Sequence, residues 1–361
     1  MSRGGLLLYG ATGFTGGLIA RRAIELGLDL VLAGRNESRL RQLGAALGCA
    51  HRVASLNDSA ALGRMLEGIS VVLHAAGPFE STYRPMVDAC LRAGVHYLDI
   101  CGEVRAIEGV RQLDRAARSA GVMLMPAVGF DVVPSDCLAA RVARVLPGAR
   151  RLRVAIAGMK VISRGSTNTL MDRVAEGVWV RRDGRLVSLA PGLSERHFDF
   201  GSGPVPCLGL SWGDVATAYY TTGIPNIEVY CESTLIARGL MLVGRHLGQA
   251  GVLIPGFNPA LLKPAADWWL NMLPDGPSRA CSNARVPVPR SSSRQRARAG
   301  NARAHACGRR IRIRRRRCVP RLLHRACSAA TASPAFKPRR ACLETMWQRS
   351  FPEWSWNNGA R

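Results

Sequence analysis

The chain has 361 residues, of which 47% are hydrophobic and 21% are charged, and its formal net charge is +25. This length suits roughly two domains, and the apolar fraction excludes a chain that is disordered throughout. The charge is uneven, because residues 278–361 carry a net +19 and residues 1–277 only +6. The body of the protein therefore lacks the basicity typical of a nucleic-acid-binding domain.

Between residues 6 and 126, short apolar runs alternate with stretches of helical periodicity. We predict strands at 6–10, 29–33, 51–55, 70–75, 96–100 and 122–125. The helical stretches end near glycines, as helices commonly do: Gly27, Gly48, Gly68, Gly94 and Gly121. Strands joined by helical crossovers predict an α/β fold, an N-terminal Rossmann domain with a doubly wound parallel sheet.

The pattern changes after a helix predicted to start at residues 134–136 and to end near residue 145. Strand-like runs follow at 152–159, 197–200 and 227–230, with a helix predicted over 169–180 and an apolar helical stretch over 236–273. We predict three regions: a Rossmann NAD(P)-binding domain over 1–145, an α+β substrate domain over 146–277, and a basic low-complexity tail over 278–361.

The tail has an unusual composition. The chain contains 47 Arg and three Lys, which indicates a GC-rich gene, and such genes read out of frame yield Arg, Ala, Pro, Ser and Cys. Shifted by one base, the codons permit Phe-Gln-Thr-Pro-Ser around Phe336 and Phe-Pro-Gly-Val-Glu-Leu-Glu from Phe351, and Asn358 can supply a stop. We interpret the residues after about Pro277 as disordered, frameshifted sequence; a genuine basic tail is the alternative.

The cysteines and the apolar runs of the sequence indicate where in the cell the protein is located. The six cysteines before residue 277 show no metal-ligand spacing, and no secretory signal precedes them. The longest uncharged apolar stretch is interrupted by Pro255 and Pro259, so it is a poor spanning helix. The sequence predicts a soluble, cytoplasmic protein with reduced thiols and no metal. His74 is interpreted as a core histidine rather than a ligand.

A glycine-rich loop follows the first predicted strand and opens a helix. Its GxxGxxG pattern is a variant of the dinucleotide fingerprint, in which glycines permit a tight turn and close approach of a pyrophosphate to a helix N-terminus. The alternative is a structural turn. The predicted cofactor-binding residues in this loop are Gly10, Thr12, Gly13, Phe14, Thr15 and Gly16.

Two further segments complete the predicted cofactor site. The second strand ends in Gly34-Arg35-Asn36, where NAD-preferring sites usually carry an acid. A guanidinium at Arg35 can pair with a 2′-phosphate, with Asn36 or Ser38 adding a hydrogen bond, so NADP is favoured over NAD; a solvated surface arginine is the alternative. After the fourth strand, Ala76, Gly77 and Pro78 are predicted to form a wall beneath the nicotinamide-side ribose.

The motifs GATGFTG, AGRN, AAGPF, HYLDICGE and GFDVVPSD occur in that order over residues 10–136. In this order they resemble the saccharopine dehydrogenase-like NADP-binding domain family, whose relatives include trans-acting enoyl reductases. The resemblance extends to residues 222–230 and covers about residues 4–277. It implies an oxidoreductase with an N-terminal Rossmann domain.

The sequence assigns no catalytic residue. The crevice beyond the strands is expected to include residues 101–103 and 129–131. Residues 163–167 either cap a helix or bind a carboxylate. Trp212 either covers the nicotinamide or is an ordinary buried tryptophan. Tyr219 and Tyr220 are either proton donors or a sign of a strand.

These observations predict an NAD(P)-dependent oxidoreductase that transfers hydride between NADP(H) and an unidentified small molecule. The apolar residues 236–273 indicate a hydrophobic substrate or a peripheral membrane contact, with a core helix pair as the alternative. The competing hypothesis is a non-catalytic cofactor-binding sensor or scaffold. Nucleic-acid binding through the tail is the third and least favoured. The oligomeric state is left open.

Overall fold

A computed structural model describes residues 5–157, 177–189, 194–201 and 203–233. The predictions for residues 163–167, 236–273 and 278–361 lie outside this part of the chain, as does most of the helix predicted over 169–180.

The first sheet contains six parallel strands in the order β3-β2-β1-β4-β5-β6. They are β1 Gly5–Tyr9, β2 Leu30–Gly34, β3 His51–Val53, β4 Ile69–His74, β5 His96–Asp99 and β6 Leu124–Met125. Each lies where the sequence predicted a strand, so the Rossmann doubly wound parallel sheet is confirmed. The strand order reverses between β1 and β4, which is where such sheets open a binding crevice.

Helices cover both faces of this sheet. They are α1 Phe14–Glu25, α2 Glu37–Leu47, α3 Ser59–Met65, α4 Phe79–Ala93, α5 Val104–Gln112, α6 Asp114–Ser119 and α7 Val133–Val145. One apolar cluster packs α1, α2 and α7 against one face of the sheet. A second cluster packs α3, α4, α5 and α6 against the other face. Because both faces are buried, the strands read as continuous apolar runs, such as the fully buried Leu7 and Leu8 of β1.

A second, mostly antiparallel sheet follows. Its strands are β7 Arg151–Ile156, β8 Val178–Arg182, β9 Arg185–Leu189, β10 Glu195–Asp199, β11 Pro204–Gly209 and β12 Asn226–Glu232. The order is β10-β11-β12-β8-β9, and β7 pairs in parallel with β12. Helix α8, Asp214–Thr222, lies between β11 and β12 in the chain. Apolar residues of this sheet and of α8 pack against α5 and α7, which joins the two sheets.

The structure corrects two predictions in this second region. The end of the helix predicted over 169–180 is wrong, because Val178 begins strand β8. Tyr219 and Tyr220 do not mark a strand, since both lie in α8.

Two elements that the sequence analysis missed have recognisable causes. The β8–β9 hairpin turns at Asp183-Gly184, whose φ values of 45° and 79° define a type I′ turn. Strand β11 contains Pro204 and Pro206, which usually argue against a strand. Both prolines lie where β11 pairs with β10 alone, before its pairing with β12 begins at Cys207.

The predicted boundary at residue 145 coincides with the end of α7 and stays a prediction. Among the described residues, no helix has the length and apolar character needed to cross a membrane.

Candidate functional site

The glycine loop between β1 and α1 is fitted tightly to its neighbours. Gly10 has φ +87°, and a Cβ there would lie 2.9 Å from the backbone of Ala75 and Ala76. A Cβ on Gly16 would overlap the carbonyl oxygen of Gly10. These two glycines are therefore required by the fold itself.

Gly13 differs from the other two glycines. Its φ of −74° suits any residue, and a Cβ there would meet only the Gly10 carbonyl oxygen, at 3.3 Å. Gly13 is exposed, as are the next two residues, Phe14 and Thr15. Its lack of a side chain therefore leaves open space in front of α1, where a ligand can approach the backbone.

The N-terminus of α1 suits an anionic ligand. Gly13 is its N-cap and supplies no side-chain hydrogen bond, and the first turn contains no acidic residue. The N–H groups of a first helical turn have no partner within the helix, and the helix dipole adds partial positive charge. Residues 12–16 thus present a cradle that fits a phosphate group.

Arg35 lies beside this cradle at the end of β2. It is exposed, and Gly34 before it approaches Gly10 closely, since a Cβ on Gly34 would lie 4.0 Å from the Gly10 nitrogen. Asn36 caps α2, because its Oδ1 accepts hydrogen bonds from the Arg39 N–H and the Ser38 hydroxyl, both at 3.0 Å. The Ser38 proton is thereby used within the protein, which leaves the Asn36 amide as the better donor to a ligand.

The segment after β4, which contains Ala76, Gly77 and Pro78, lies beside the glycine loop, and its contact with a ribose stays a prediction. The Thr82 hydroxyl lies 2.8 Å from the Ala76 carbonyl and 2.9 Å from that of Pro78, and it accepts from His74 Nε2 at 3.0 Å. Burial lowers the pKa of His74 to about 3, so its ring is neutral. His74 is thus a core residue that holds the wall in place.

Glu103, in the loop after β5, fixes the position of residues 76–78. Its buried carboxylate accepts hydrogen bonds from the N–H groups of Phe79 at 3.0 Å and Glu80 at 2.7 Å. These N–H groups open α4, whose N-cap, Pro78, has no side-chain oxygen. Glu103 therefore caps α4 from a distant loop and fixes the position of the preceding Gly77-Pro78.

Asp99 and Asp131 bring two more carboxylates to this edge, after β5 and β6. Asp99 Oδ1 accepts from the N–H groups of Cys101 and Ala127, at 2.9 and 2.7 Å, and Oδ2 accepts from the Tyr97 hydroxyl at 2.8 Å. Its hydrogen bonds join the loops after β5 and β6. Asp99 is therefore structural.

The Asp131 carboxylate lies between two glycines, Gly102 and Gly129. A Cβ on Gly102 would be 2.6 Å from Asp131 Oδ2, and one on Gly129 would overlap Oδ1. Burial, with a smaller contribution from Asp99, raises the pKa of Asp131 to about 7. Among the described residues, no other residue donates a hydrogen bond to this carboxylate, so its proton is available for exchange near neutral pH.

Trp212 belongs to the same crevice. Its indole N–H donates to the Asp131 carbonyl at 2.7 Å, and its ring packs on the apolar cluster that contains Cys101, Ile107 and Val132. The partly buried ring thus brings the second sheet against the loop after β6. Whether it also covers a nicotinamide stays a prediction.

The tyrosine pair lies elsewhere, beside α5. The Tyr220 hydroxyl donates to Glu108 at 2.5 Å, and the Tyr219 ring stacks 4.1 Å from the guanidinium carbon of Arg181. Burial first, and then the Glu108 carboxylate, raise the pKa of Tyr220 to about 12. Tyr220 is consequently a poor proton donor at neutral pH.

Two buried aspartates join α7 to α8. Asp136 Oδ2 accepts from the Thr221 hydroxyl at 2.8 Å, and Asp214 is buried close to it. Burial, and then the charge of Asp136, raise the pKa of Asp214 well above its ordinary value. Asp214 is fully buried rather than open to a ligand.

Cysteine and metal chemistry receive no support in this part of the chain. Cys101 is buried, and burial raises the pKa of its thiol well above the ordinary value, which makes it a weak nucleophile. Within the described residues, no group of three or more His, Cys, Asp or Glu side chains is placed to hold a metal ion.

Residues 6–125 match a family model described as "Saccharopine dehydrogenase NADP binding domain". This part of the chain is similar to the NADP-binding domain of that family. The predicted NADP-binding Rossmann domain is thereby confirmed. The resemblance beyond residue 125 and the individual cofactor contacts stay predictions.

Two curated relatives match segments of this chain that are slightly longer than the one matched by the family model. The trans-acting enoyl reductase of Mycobacterium leprae (strain TN) is 37% identical over 139 residues, which are 36% of this chain and 33% of that protein. A lipid droplet localized protein of Caenorhabditis elegans is 31% identical over 150 residues, 38% of this chain and 35% of that protein. The chain thus spans about a third of the length of these relatives.

Among solved structures, apo histidine-tagged saccharopine dehydrogenase (L-Glu forming) from Saccharomyces cerevisiae superposes with a TM-score of 0.49. It is 14% identical, and the alignment covers 68% of this chain and 58% of that one.

The structure brings the three predicted cofactor segments together and gives roles to two residues that the sequence analysis had left without one. Segments 10–16, 34–36 and 75–78 meet at one edge of the sheet. Glu103 and Asp131 were expected in the crevice, but with no role. The acidic residue following each strand was the available signal, yet the partners of Glu103 lie 23 and 24 residues away in the chain.

Proposed function

We propose that this protein is an NADP-dependent oxidoreductase that reduces an activated carbon–carbon double bond. The supporting observation is that the Asp131 carboxyl, with a pKa of about 7, lies at the same sheet edge as the NADP-binding glycine loop. The name of the mycobacterial relatives, trans-acting enoyl reductase, supports a conjugated enoyl group as the substrate.

Cofactor binding is assigned to the three segments that meet at this edge. The N–H groups at the start of α1 hold the pyrophosphate in front of Gly13, and Arg35 pairs with the 2′-phosphate, with the Asn36 amide beside it. Residues 76–78 support the nicotinamide-side ribose. Strands β4 and β6 are two strand spacings apart, about 10 Å, so a nicotinamide that reaches past β4 approaches the loop that carries Asp131.

The reaction needs a hydride and a proton. NADPH supplies the hydride to one carbon of the double bond when it is bound. Asp131 in its protonated form donates its proton to the other carbon, which has received the electron pair of the broken π bond. The Asp131 carboxylate then regains a proton from water. The Trp212 indole N–H fixes the Asp131 backbone carbonyl beside the apolar cluster that contains Val132.

Deuterium transfer tests the reaction directly. The purified chain is incubated with NADPH deuterated at C4 and a series of 2-enoyl thioesters of increasing chain length. We expect loss of NADPH absorbance and one deuterium in the saturated product, with the second new hydrogen derived from solvent. Tight NADPH binding without turnover across enoyl and carbonyl compounds would instead favour the sensor or scaffold hypothesis.

Substitution of Asp131 tests the proton donor. Asp131→Asn is expected to lower kcat by about 100-fold or more, because general acid catalysis contributes on that scale. The wild-type rate should fall above about pH 7, since only protonated Asp131 donates, and the Asn variant should lose this dependence. Asp114→Asn, which removes a surface carboxylate paired with Arg118, is the matched control and should leave kcat unchanged.

A further inference from the structure

The second sheet carries a pocket of about 230 Å³ that is separate from the NADP site. The described residues lining it come from β7, β8, β10 and β12: Arg151, Leu152, Arg153, Arg182, Arg196, Asn226 and Glu228. In β12, the buried Ile227 and Val229 pack into the apolar clusters that join the two sheets. Because side chains alternate along a strand, Glu228 between them faces the opposite side.

The charge of this pocket is strongly unbalanced. Four arginines line it together with a single acid among the described residues, Glu228, which leaves three positive charges in excess. Clustered guanidinium groups repel one another unless anions balance them.

Glu228 organises the cluster rather than neutralising it. Its Oε2 accepts from Arg153 Nε at 3.0 Å and from the Tyr230 hydroxyl at 2.7 Å, and its Oε1 accepts from Arg182 at 2.5 Å. Arg196 Nε donates to the Tyr230 oxygen at 3.0 Å. Burial favours a higher pKa for the Glu228 carboxyl, but the hydrogen bonds from Tyr230, Arg153 and Arg182 bring that pKa below its ordinary value. The single carboxylate is thus ionised and holds several donors at one place.

We propose that this pocket binds a phosphate group. Arginine side chains present planar, paired donors that match phosphate oxygens, and a phosphate dianion would balance most of the excess charge. The volume lies below the range of about 300–1,000 Å³ typical of whole-ligand pockets, so it fits an anionic head group rather than a complete dinucleotide. The same chemistry occurs in soluble phosphate esters and in lipid head groups, and the experiment separates these two sources.

Calorimetric titrations at low ionic strength provide the test, with saturating NADPH present so that the start of α1 cannot bind the added phosphate. The probes are inorganic phosphate, glycerol 3-phosphate, and phosphatidylcholine vesicles with and without phosphatidic acid. Arg151→Gln is the first variant, because Arg151 is an exposed residue of β7 whose side chain makes no hydrogen bond or ion pair with the described residues. We expect it to weaken phosphate binding about threefold to tenfold.

A second variant reverses the sign of the effect. Glu228→Gln keeps the shape of the side chain and removes the negative charge, so phosphate binding should become about threefold to tenfold tighter. Arg115→Gln, at an exposed position on α6, is the control and should change nothing. Circular dichroism and NADPH affinity of each variant verify that the fold is retained.

Each outcome decides the proposal. Binding of the soluble phosphates that weakens in Arg151→Gln and tightens in Glu228→Gln supports a small phosphate ester as ligand. The same pattern with only phosphatidic acid vesicles supports a lipid head group. Absence of binding to every probe, or binding that ignores both substitutions, overturns the proposal. Because NADPH affinity is measured separately, a failure of this proposal is distinguishable from a failure of the proposed oxidoreductase function.

Discussion

The carboxyl edge of the first sheet has two unlike halves. Around β1 and β2, the groups that face the crevice are backbone N–H groups and the Arg35 guanidinium, and residues 10–16 and 34–36 contain no acid. Around β5 and β6, the groups at the sheet edge are the carboxylates of Asp131 and of the buried Asp99 and Glu103. The first half is built to attract phosphate, and the second would repel it. A dinucleotide can satisfy both halves only by directing its phosphates to one and its nicotinamide to the other.

Within the acidic half, the three carboxylates differ in what they do. Asp99 and Glu103 each accept several hydrogen bonds from backbone or tyrosine donors and so are locked in structural roles. Asp131 receives none from other described residues and is partly desolvated. A partly desolvated carboxylate thus becomes a proton-transfer candidate when the described residues around it donate no hydrogen bonds to it.

The largest expected effect is the loss of cofactor binding when the phosphate-binding half of the sheet edge is blocked. Gly13→Val places a side chain in front of α1, so NADPH and NADH should both bind at least about 100-fold more weakly, equivalent to about 3 kcal/mol. The fold should persist because φ at Gly13 is −74°. Fluorescence titration measures the affinities. Gly17→Ala, whose Cβ would have no atom closer than 3.5 Å, is the control and should bind NADPH normally.

Reversal of the charge at Arg35 tests how the same half of the sheet edge distinguishes NADPH from NADH. Arg35→Glu should weaken NADPH binding by about 2–3 kcal/mol, because a charge-assisted pair with the 2′-phosphate is replaced by repulsion. NADH affinity should change little. Arg115→Glu makes the same charge change on α6 and should affect neither cofactor. Equal losses for both cofactors in Arg35→Glu would contradict the assignment to the 2′-phosphate.

Removal of the Asp131 carboxylate tests the acidic half through protein stability. The folded-state pKa of Asp131 is raised to about 7, so the folded protein binds more protons than the unfolded chain between about pH 4 and 7, and stability falls as the pH rises through that window. Asp131→Asn should remove this cost and stabilise the protein by about 1–3 kcal/mol at pH 8, with little effect at pH 4. Urea unfolding at both pH values is the measurement. A destabilised variant at pH 8 would show that the carboxylate is well solvated or paired.

The smallest effect concerns the structural carboxylates. Glu103→Ala removes the cap of α4 and leaves the N–H groups of Phe79 and Glu80 without their acceptor, which should cost about 1–2 kcal/mol of unfolding free energy. Glu67→Ala removes an exposed carboxylate at the end of α3 and should cost far less. Similar costs for the two variants would show that Glu103 is not a cap.

The first sheet could be predicted from the sequence because the signals for its strands and helix ends lie within short segments of the chain. Strand β1 is buried on both faces and therefore reads as Leu6-Leu7-Leu8, and glycines mark the helix ends. Strands β8 and β9, with the sequences VWVRR and RLVSL, interleave charged and apolar residues without strict alternation. The Asp183-Gly184 turn between them was the readable signal for this hairpin.

The candidate site also has a part that the sequence predicted and a part that it did not. The glycine loop and Arg35 follow from spacing along the chain, since their roles depend on backbone geometry near one strand end. The pKa of Asp131 depends on Gly102 and Gly129 enclosing its carboxylate. Such an enclosure arises only when the loops after β5 and β6 meet, and it leaves no pattern in the sequence.

Amide hydrogen exchange with and without NADPH is the most direct test of the division of the sheet edge. This division predicts that NADPH slows exchange in peptides covering residues 10–17, 34–38 and 75–82, whereas peptides covering 151–156 and 226–232 on the second sheet stay unchanged. Exchange that is unaffected in the first three segments, or protection confined to the second sheet, would contradict it.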